Sequence, residues 1–339
     1  MLLVQSENAV SGYDPYNGLR LWRRELPKVF RELVSHDCSN LASDGSTFFV
    51  VHNDECLRID PRDGKTLATL HMPDGVESRW GYVASADGVL FGSATAKGRT
   101  CDRIFAVDPS TGRLLWQHEG PGIPHPSISV AGGRIFFVEE RTMTSEERRA
   151  ALHDQLDGMK PKDAERLMKS AALRSTVCLD AKTGRKLWEK DMDLTGGIGG
   201  LYWSSLGTMA ARGTLVVFGV YTDGHYWKDF FAGQFESRRI IALDAADGHA
   251  LWDKKIGYRV RPLIVGDTLH AEPWAYNLRT GQQVNRINPV TGFDEAWQYP
   301  RPGHHCGPPA AAQNVMLFRA GHIGYWDLEH DVGTMHFGG

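Results

Sequence analysis

The sequence predicts an all-β protein folded as a β-propeller, with seven blades of which the closing one is incomplete in this chain, plus a helical insertion near residues 142–173. A turn phrase, Asp-x-x-x-Gly, recurs along the chain and is usually followed by Leu-Trp. A second hairpin precedes most copies, and the first three copies, at Asp14, Asp60 and Asp108, are 46 and 48 residues apart. That interval fits four short strands, which make one propeller blade.

Each phrase has the chemistry of a tight turn between two strands. In Asp108-Pro109-Ser110-Thr111-Gly112, aspartate can bond its own backbone two residues on, proline presets φ, and glycine supplies the positive φ that closes the turn. The seven copies begin at Asp14, Asp60, Asp108, Asp180, Asp244, Asn277 and Asp327.

Six further hairpins each join two apolar stretches across a Gly, Asp or Asn turn, at residues 40–51, 82–93, 127–138, 208–219, 262–273 and 311–321. The first phrase has no such hairpin before it, so residues 1–26 are predicted to be the two outer strands of a blade. A propeller pairs its two ends to close the ring. We therefore expect either a partial sequence or an unforeseen closure, within a single domain of residues 1–339.

Two insertions interrupt the repeat, and both follow the second strand of a blade. Residues 139–175 contain Thr144 and Glu147, a capping box for a helix of about ten residues, and a second helix is predicted to begin near Pro161. Residues 220–239 are rich in aromatic side chains, which are predicted to pack on the propeller or, as an alternative, to form a lid. The candidate lid residues are His225, Tyr226 and Trp227.

Bulk properties exclude several classes of function. A net charge of −3 and a pI near 6.5 give no reason to expect nucleic acid or an anionic membrane as a partner. No apolar run approaches the length of a membrane span. The five cysteines include no C-x-x-C pair, which favours isolated thiols over a disulfide framework or a metal site.

The phrases at 108–116 and 180–188 resemble the repeat of the PQQ-like β-propeller superfamily, which includes quinoprotein alcohol dehydrogenases and outer-membrane assembly lipoproteins. Residues 301–307 and 316–339 are further similar to a group of bacterial PQQ-like repeat proteins frequent in planctomycetes. In that group the chain normally continues past the final Phe-Gly-Gly. The resemblance implies a periplasmic or extracytoplasmic location, although this chain carries no signal peptide.

Quinoprotein dehydrogenases of this fold carry adjacent cysteines, a Ca²⁺ ligand set and an aspartate base, and none of these can be placed convincingly here. The repeated tryptophans, Trp22, Trp116, Trp188 and Trp252, occupy one fixed place in the repeat. That place packs between blades, so we predict that they are core residues and not a platform for a quinone. The cofactor is left open.

In a propeller, the segment before each innermost strand reaches the mouth of the central channel. Histidine, arginine, aromatic and carboxylate side chains occur there, and the set is predicted to bind a ligand. The candidate ligand-binding residues are His36, Asp37, Arg79, Trp80, His125, Tyr202, Trp203, Arg259, Arg261, His304, His305 and Cys306. The alternative for each is a structural role in a wet channel mouth.

Three functions remain open, and no catalytic residue is assigned. The favoured function is a noncatalytic propeller that binds a protein, or a carbohydrate or other polymer, at the channel mouth. The second is a hydrolase or lyase that uses His36, Arg261, His304 and His305 on an anionic carbohydrate, with or without a metal. The third is a PQQ-dependent dehydrogenase.

Overall fold

The computed structural model is an all-β protein with 53% strand and 10% helix, and its seven blades are arranged as a β-propeller. The predicted fold class is therefore confirmed. The structure describes residues 1–29, 40–73, 79–95, 100–198, 204–221, 227–288, 290–298, 309–320 and 322–336.

The first three blades are antiparallel sheets formed by strands consecutive in the chain. Blade 1 contains β1 (Leu2–Ser6), β2 (Ala9–Tyr13) and β3 (Arg20–Glu25). Blade 2 contains β4 (Leu41–Ser43), β5 (Phe48–His52), β6 (Glu55–Ile59) and β7 (Thr66–His71). Blade 3 contains β8 (Arg79–Ala86), β9 (Val89–Thr95), β10 (Thr100–Val107) and β11 (Leu114–Pro124). Residues 1–26 thus form three strands and not the predicted two, because Glu7 and Asn8 make a tight turn that the sequence pattern did not reveal.

The remaining blades continue the pattern, with a departure in blade 6. Blade 4 contains β12 (Ser129–Ala131), β13 (Arg134–Glu140), β14 (Leu173–Asp180) and β15 (Lys186–Asp193). Blade 5 contains β16 (Ser204–Ala211), β17 (Thr214–Tyr221), β18 (Arg239–Asp244) and β19 (Ala250–Lys255). Blade 6 has a three-stranded sheet, β20 (Leu263–Val265), β21 (Thr268–Ala271) and β22 (Trp274–Asn277), followed by a separate pair, β23 (Asn285–Ile287) and β24 (Asp294–Ala296). Blade 7 contains β25 (Ala310–Ala311), β26 (Val315–Ala320), β27 (His322–Asp327) and β28 (Val332–His336).

The chain divides into two compact units, residues 1–142 with 175–190 and residues 143–174 with 191–339. In each unit the core lies between successive sheets. Phe49 of blade 2, for example, shares a buried cluster with Trp80 and Phe105 of blade 3. In the second unit Phe218 of blade 5 and Leu269 of blade 6 belong to one cluster. This burial of both faces explains why inner strands such as β13, β14 and β18 carry apolar runs, whereas outer strands such as β3 and β7 alternate.

The repeated phrase forms the turn that its chemistry predicts. In the copy at Asp180, the Gly184 amide donates to the Asp180 carbonyl at 2.9 Å, and Gly184 has a φ of +70°. The Asp180 carboxylate accepts the Thr183 hydroxyl at 2.8 Å and the Thr183 amide at 2.9 Å. These bonds lower the pKa of Asp180, the Thr183 hydroxyl contributing most.

The tryptophan that follows one Asp-x-x-x-Gly phrase packs on the turn formed by the next phrase in the chain. The Trp116 indole donates to the Ala181 carbonyl at 2.9 Å, and a Cβ on Gly184 would lie 2.6 Å from the ring. The same arrangement joins Trp22 to Pro61 and Gly64, and Trp252 to Leu278 and Gly281. These three tryptophans therefore pack between blades, as the sequence predicts.

The last turn replaces glycine with Asp331, which has a φ of +53°. Its carboxylate accepts the indole N–H groups of Trp297 at 2.9 Å and Trp326 at 3.0 Å. One carboxylate therefore anchors tryptophans of two successive blades.

Candidate functional site

The two insertions leave their blades at corresponding places. The first lies between β13 and β14, and the second lies between β17 and β18, so each connects the second strand of a sheet to the third. The Asp-x-x-x-Gly turns connect third to fourth strands, which places them at the opposite end of each antiparallel sheet. Residues 143–174 of the first insertion and the whole of the second belong to the second compact unit.

The first insertion is a helical hairpin, as predicted. It contains α1 (Ser145–Ala151), α2 (His153–Leu156) and α3 (Pro161–Ser170). Thr144 caps α1, since its hydroxyl accepts the Glu147 amide at 3.2 Å and the Glu147 carboxylate accepts the Thr144 amide at 2.8 Å. The Arg148 guanidinium donates to the carbonyls of Met168 and Ala171, which ties α1 to the end of α3.

The hairpin also has a small core of its own. Leu152, Ala171 and Leu173 are buried, and four partly buried apolar side chains pack against them, Met143, Leu156, Leu167 and Met168. The apolar side of the hairpin therefore faces this core, while its charged side chains, such as those of Lys162 and Glu165, are exposed.

Residues 191–198 join the helical hairpin to the end of the second insertion. On one side, the Gln155 amide donates to the Asp193 carboxylate, and the Ala172 amide donates to the Thr195 hydroxyl at 2.8 Å. On the other side, Arg239 donates to the Asp193 carbonyl at 2.9 Å and, through its backbone amide, to the Gly197 carbonyl at 3.0 Å. We call the surface formed by residues 143–172, 191–198 and 227–239 the insertion face.

Asp193 and Arg239 hold this junction electrostatically. Burial alone would raise the pKa of Asp193, but the hydrogen bonds from Thr195 and Gln155 and the positive charge of Arg239 bring it below the usual value. The Arg239 guanidinium also pairs with Asp253, its Nε lying 2.7 Å from one carboxylate oxygen, and this pairing raises the pKa of the arginine. Both groups are therefore charged at neutral pH.

The second insertion is tied to the predicted channel-mouth segment of blade 6. It contains α4 (Trp227–Phe231), after which the chain returns to β18. The buried Arg238 stacks on the Phe235 ring, with 3.8 Å between Cζ and the ring centroid, and it donates to the carbonyls of Tyr258 at 2.6 Å and Arg259 at 3.0 Å. Arg238 thus ties the end of the second insertion to the predicted ligand segment.

In that segment, Arg259 has no exposed surface. Its Nη1 lies 2.9 Å from the Glu272 carboxylate, and its amide donates to the Glu272 carbonyl at 2.9 Å. Arg261 is partly exposed, and its guanidinium carbon lies 5.9 Å from the centroid of the Phe218 ring. Arg259 therefore neutralises a buried carboxylate, whereas Arg261 retains a surface that a ligand could contact.

Two of the three predicted residues that the structure describes in the first unit are buried. Trp80 has no exposed surface and packs edge-on against Phe105, with the ring centroids 4.9 Å apart. His125 is also fully buried, its Nδ1 lying 3.2 Å from the Ser93 hydroxyl. Arg79 is exposed at the start of β8. Trp80 and His125 are therefore shielded from solvent, whereas the Arg79 side chain is accessible.

The other predicted site residues lie outside the described part of the chain, namely His36, Asp37, Tyr202, Trp203, His225, Tyr226, His304, His305 and Cys306. Trp227 begins α4, and its side chain is not among those described. Sequence reasoning missed Arg238 and Glu272, whose roles depend on contacts 21 and 13 residues away in the chain.

The sequence profile of the family described as outer membrane protein assembly factor BamB matches residues 6–160 and 173–321. The chain belongs to this family of PQQ-like β-propellers. None of the curated proteins compared with the chain matches it.

Three solved structures illustrate the likeness. BamB from Moraxella catarrhalis is 13% identical, with a TM-score of 0.50 over 96% of this chain and 79% of that one. The dihydro-heme d1 dehydrogenase NirN, solved in complex with DHE, is 12% identical, with a TM-score of 0.52 over 97% of this chain and 61% of that one. The quinohemoprotein alcohol dehydrogenase from Comamonas testosteroni is 14% identical, with a TM-score of 0.47 over 93% of this chain and 49% of that one. At these identities the likeness to BamB and to NirN establishes the fold alone.

The described residues of this family member include three cysteines, which lie apart from one another. Cys56, Cys101 and Cys178 are buried on three different strands, and burial raises the pKa of the Cys101 and Cys178 thiols to about 12. Within the same residues, no group of three or more His, Cys, Asp or Glu side chains could hold a metal ion.

No helix in the part of the chain that the structure describes is long and apolar enough to cross a membrane.

Proposed function

We propose that this PQQ-like propeller is a noncatalytic scaffold that binds a protein partner on the insertion face. The observation that carries this proposal is the junction at residues 191–198, which bonds to both insertions and makes one continuous surface of them. A rigid surface loses less conformational entropy on binding than two independent loops. The full burial of Trp80, His125 and Arg259 leaves those side chains little part in such contacts.

The chemistry of the insertion face suits a protein better than a carbohydrate. Exposed charges of both signs alternate along α3, where Lys169 pairs with Glu165 at 2.6 Å and Arg166 pairs with Asp163 at 3.4 Å. In α4, Phe231 is 71% exposed and could serve as an aromatic anchor. A polar rim around a few aromatic side chains is typical of protein interfaces. The family name, an assembly factor, supports the same class of partner.

The test compares two charge reversals on the full chain. Lys162→Glu changes an exposed lysine of α3, and Lys182→Glu changes an exposed lysine on the Asp180 turn at the opposite end of blade 4. A third variant, Phe231→Ser, removes the exposed ring. Proteins retained from cells that produce the chain are quantified for each variant, and purified glycans are screened in parallel.

We expect the wild type and the Lys182→Glu variant to retain the same protein in equal amounts. The Lys162→Glu and Phe231→Ser variants should no longer retain it. Equal retention by all variants would refute the assignment to this face. Glycan binding that Phe231→Ser abolishes, with no retained protein, would favour the carbohydrate alternative. The hydrolase or lyase and quinoprotein alternatives, and the grouping with planctomycete proteins, stay predictions.

A further inference from the structure

A β-hairpin interrupts the segment that pairs with the last strand of the blade-6 sheet, β22. It is separate in the chain from the residues of the insertion face. β22 forms one bridge through Tyr276 to Gln283 and another through Trp274 to Gln298. The chain between these two bridges leaves the sheet and returns as β23 and β24, which pair with each other. We call residues 285–288 and 290–296 the blade-6 hairpin.

The blade-6 hairpin has a turn that sequence analysis did not count. The Gly292 amide donates to the Asn288 carbonyl at 2.8 Å, and the Asn288 side chain accepts the amides of Val290 at 2.8 Å and Thr291 at 3.1 Å. These are the bonds of the repeated phrase, with asparagine in place of aspartate. The hairpin is therefore an additional copy of the turn and not an irregular loop.

The base of the hairpin is held firmly. Arg286 lies 3.1 Å from the Asp331 carboxylate and 3.5 Å from the Glu295 carboxylate. The same Asp331 accepts the Trp297 indole, and the Asn288 amide group donates to Glu295 at 3.0 Å. The hairpin is thus presented in a fixed orientation, which reduces the entropy lost when a partner binds.

The tip of the hairpin is apolar and exposed. Ile287 is 65% exposed, Val290 is 91% exposed and Phe293 is 74% exposed. At the place in the turn that Val290 occupies, six of the seven other phrases carry a charged residue, serine or alanine, namely Arg62, Ser110, Lys182, Ala246, Arg279 and Glu329. Three large apolar side chains on one projecting hairpin mark an interaction surface.

We infer that the blade-6 hairpin inserts into an apolar groove, rimmed by basic side chains, on another protein. The hairpin carries one basic residue, Arg286, which pairs with Asp331 and Glu295, and two acidic ones, Asp294 and Glu295, so its net charge is −1. Acidic flanks disfavour an anionic lipid surface or a polyanion and suit a basic rim. A projecting hairpin of about a dozen residues also buries too little surface to hold two copies of this chain together, since stable interfaces bury about 800 Å² per partner.

The test begins with the full chain carrying a photo-reactive phenylalanine in place of Val290, in cells that produce the protein. The same substitution at Tyr16, which is 97% exposed at the equivalent place in the first turn, is the matched control. The cross-linked protein is then purified, and its affinity is measured for the wild type, the double variant Val290→Ser with Phe293→Ser, Tyr16→Ser and Asp294→Lys.

A single protein adduct from position 290, absent from position 16, is the expected result. The double variant should weaken binding by roughly 30-fold, Tyr16→Ser should leave it unchanged, and Asp294→Lys should weaken it by roughly tenfold at low salt. An unchanged affinity in Asp294→Lys would overturn the basic rim. The proposal as a whole fails if both positions give the same adducts, if the adduct is a second copy of this chain, or if phosphatidylcholine vesicles bind the wild type and not the double variant.

Discussion

Replacing Gly184 by alanine perturbs the contact between Trp116 and the Asp180 turn, because the Trp116 ring lies directly against Gly184. Gly184 has a φ of +70°, and an added Cβ would lie 2.6 Å from Cγ of Trp116. Gly18 offers a matched control in the same compact unit, because it occupies the same place in the first turn, has a φ of +72°, and has nothing within 4 Å of an added Cβ.

The two variants share the cost of a left-handed backbone, which is about 1–2 kcal/mol for a residue with a Cβ. Only Gly184→Ala also displaces the indole. That displacement breaks the 2.9 Å bond to the Ala181 carbonyl and disturbs the packing around a ring that is 8% exposed. Losing one buried hydrogen bond and its packing costs about 2–3 kcal/mol. We therefore expect about 3–5 kcal/mol for Gly184→Ala and about 1–2 kcal/mol for Gly18→Ala.

Urea unfolding, followed by far-UV circular dichroism and by tryptophan fluorescence, measures both losses. The chain has two compact units, and both glycines lie in the first. The free energies to compare are therefore those of the unfolding transition assigned to the first unit. A difference between the two variants of less than about 0.5 kcal/mol, the error of additivity between independent sites, would refute the role given to the tryptophan contact.

Two further predictions concern buried charge in the second unit. Arg259→Met should lower the free energy of unfolding, measured in urea, by about 3–5 kcal/mol, because Glu272 is left as a buried charge. Adding Glu272→Gln should recover at least half of this loss. A double variant no more stable than Arg259→Met would contradict the pairing. Burial lowers the pKa of His270 to about 4 from 6.5, so the unfolded chain takes up a proton first as pH falls below 6.5. Stability should then fall by about 2 kcal/mol between pH 7 and pH 5 through this group. His270→Leu should remove that part of the fall, and an unchanged pH profile would exclude the role of His270.

The parts of the fold that local chemistry determines could be predicted from the sequence. The Asp180 turn needs only an aspartate, a threonine and a glycine within five residues, and the cap of α1 needs only Thr144 and Glu147. Each of these bonds forms between residues close in the chain, so its pattern is visible in one stretch of sequence.

The features that sequence analysis missed depend on distant contacts or on altered phrases. Glu272 is 13 residues from Arg259, and nothing in either segment indicates that they pair. The blade-6 hairpin keeps the turn phrase, but asparagine replaces aspartate and the copy follows that at Asn277 by only 11 residues. A search for Asn-x-x-x-Gly followed by tryptophan would have found it, since Trp297 stands nine residues after Asn288.

The predicted ligand-binding residues likewise combine a feature that the sequence predicts with one that it does not. Position in the repeat predicts which segments precede an innermost strand, but it does not predict which side chains become buried. Trp80 is fully buried because it packs between blades 2 and 3, and His125 is fully buried beside Ser93 of blade 3. Arg261, two residues beyond the buried Arg259, keeps a partly exposed side chain.

Amide hydrogen exchange on the full chain, with and without the partner protein retained by the wild type, tests most directly whether the insertion face is the binding surface. Slower exchange on binding is expected in residues 145–170 and 227–239, with no change in the turns at Gly112 and Gly184. Protection confined to those turns, with the two insertions exchanging as in the free chain, would contradict the proposed function.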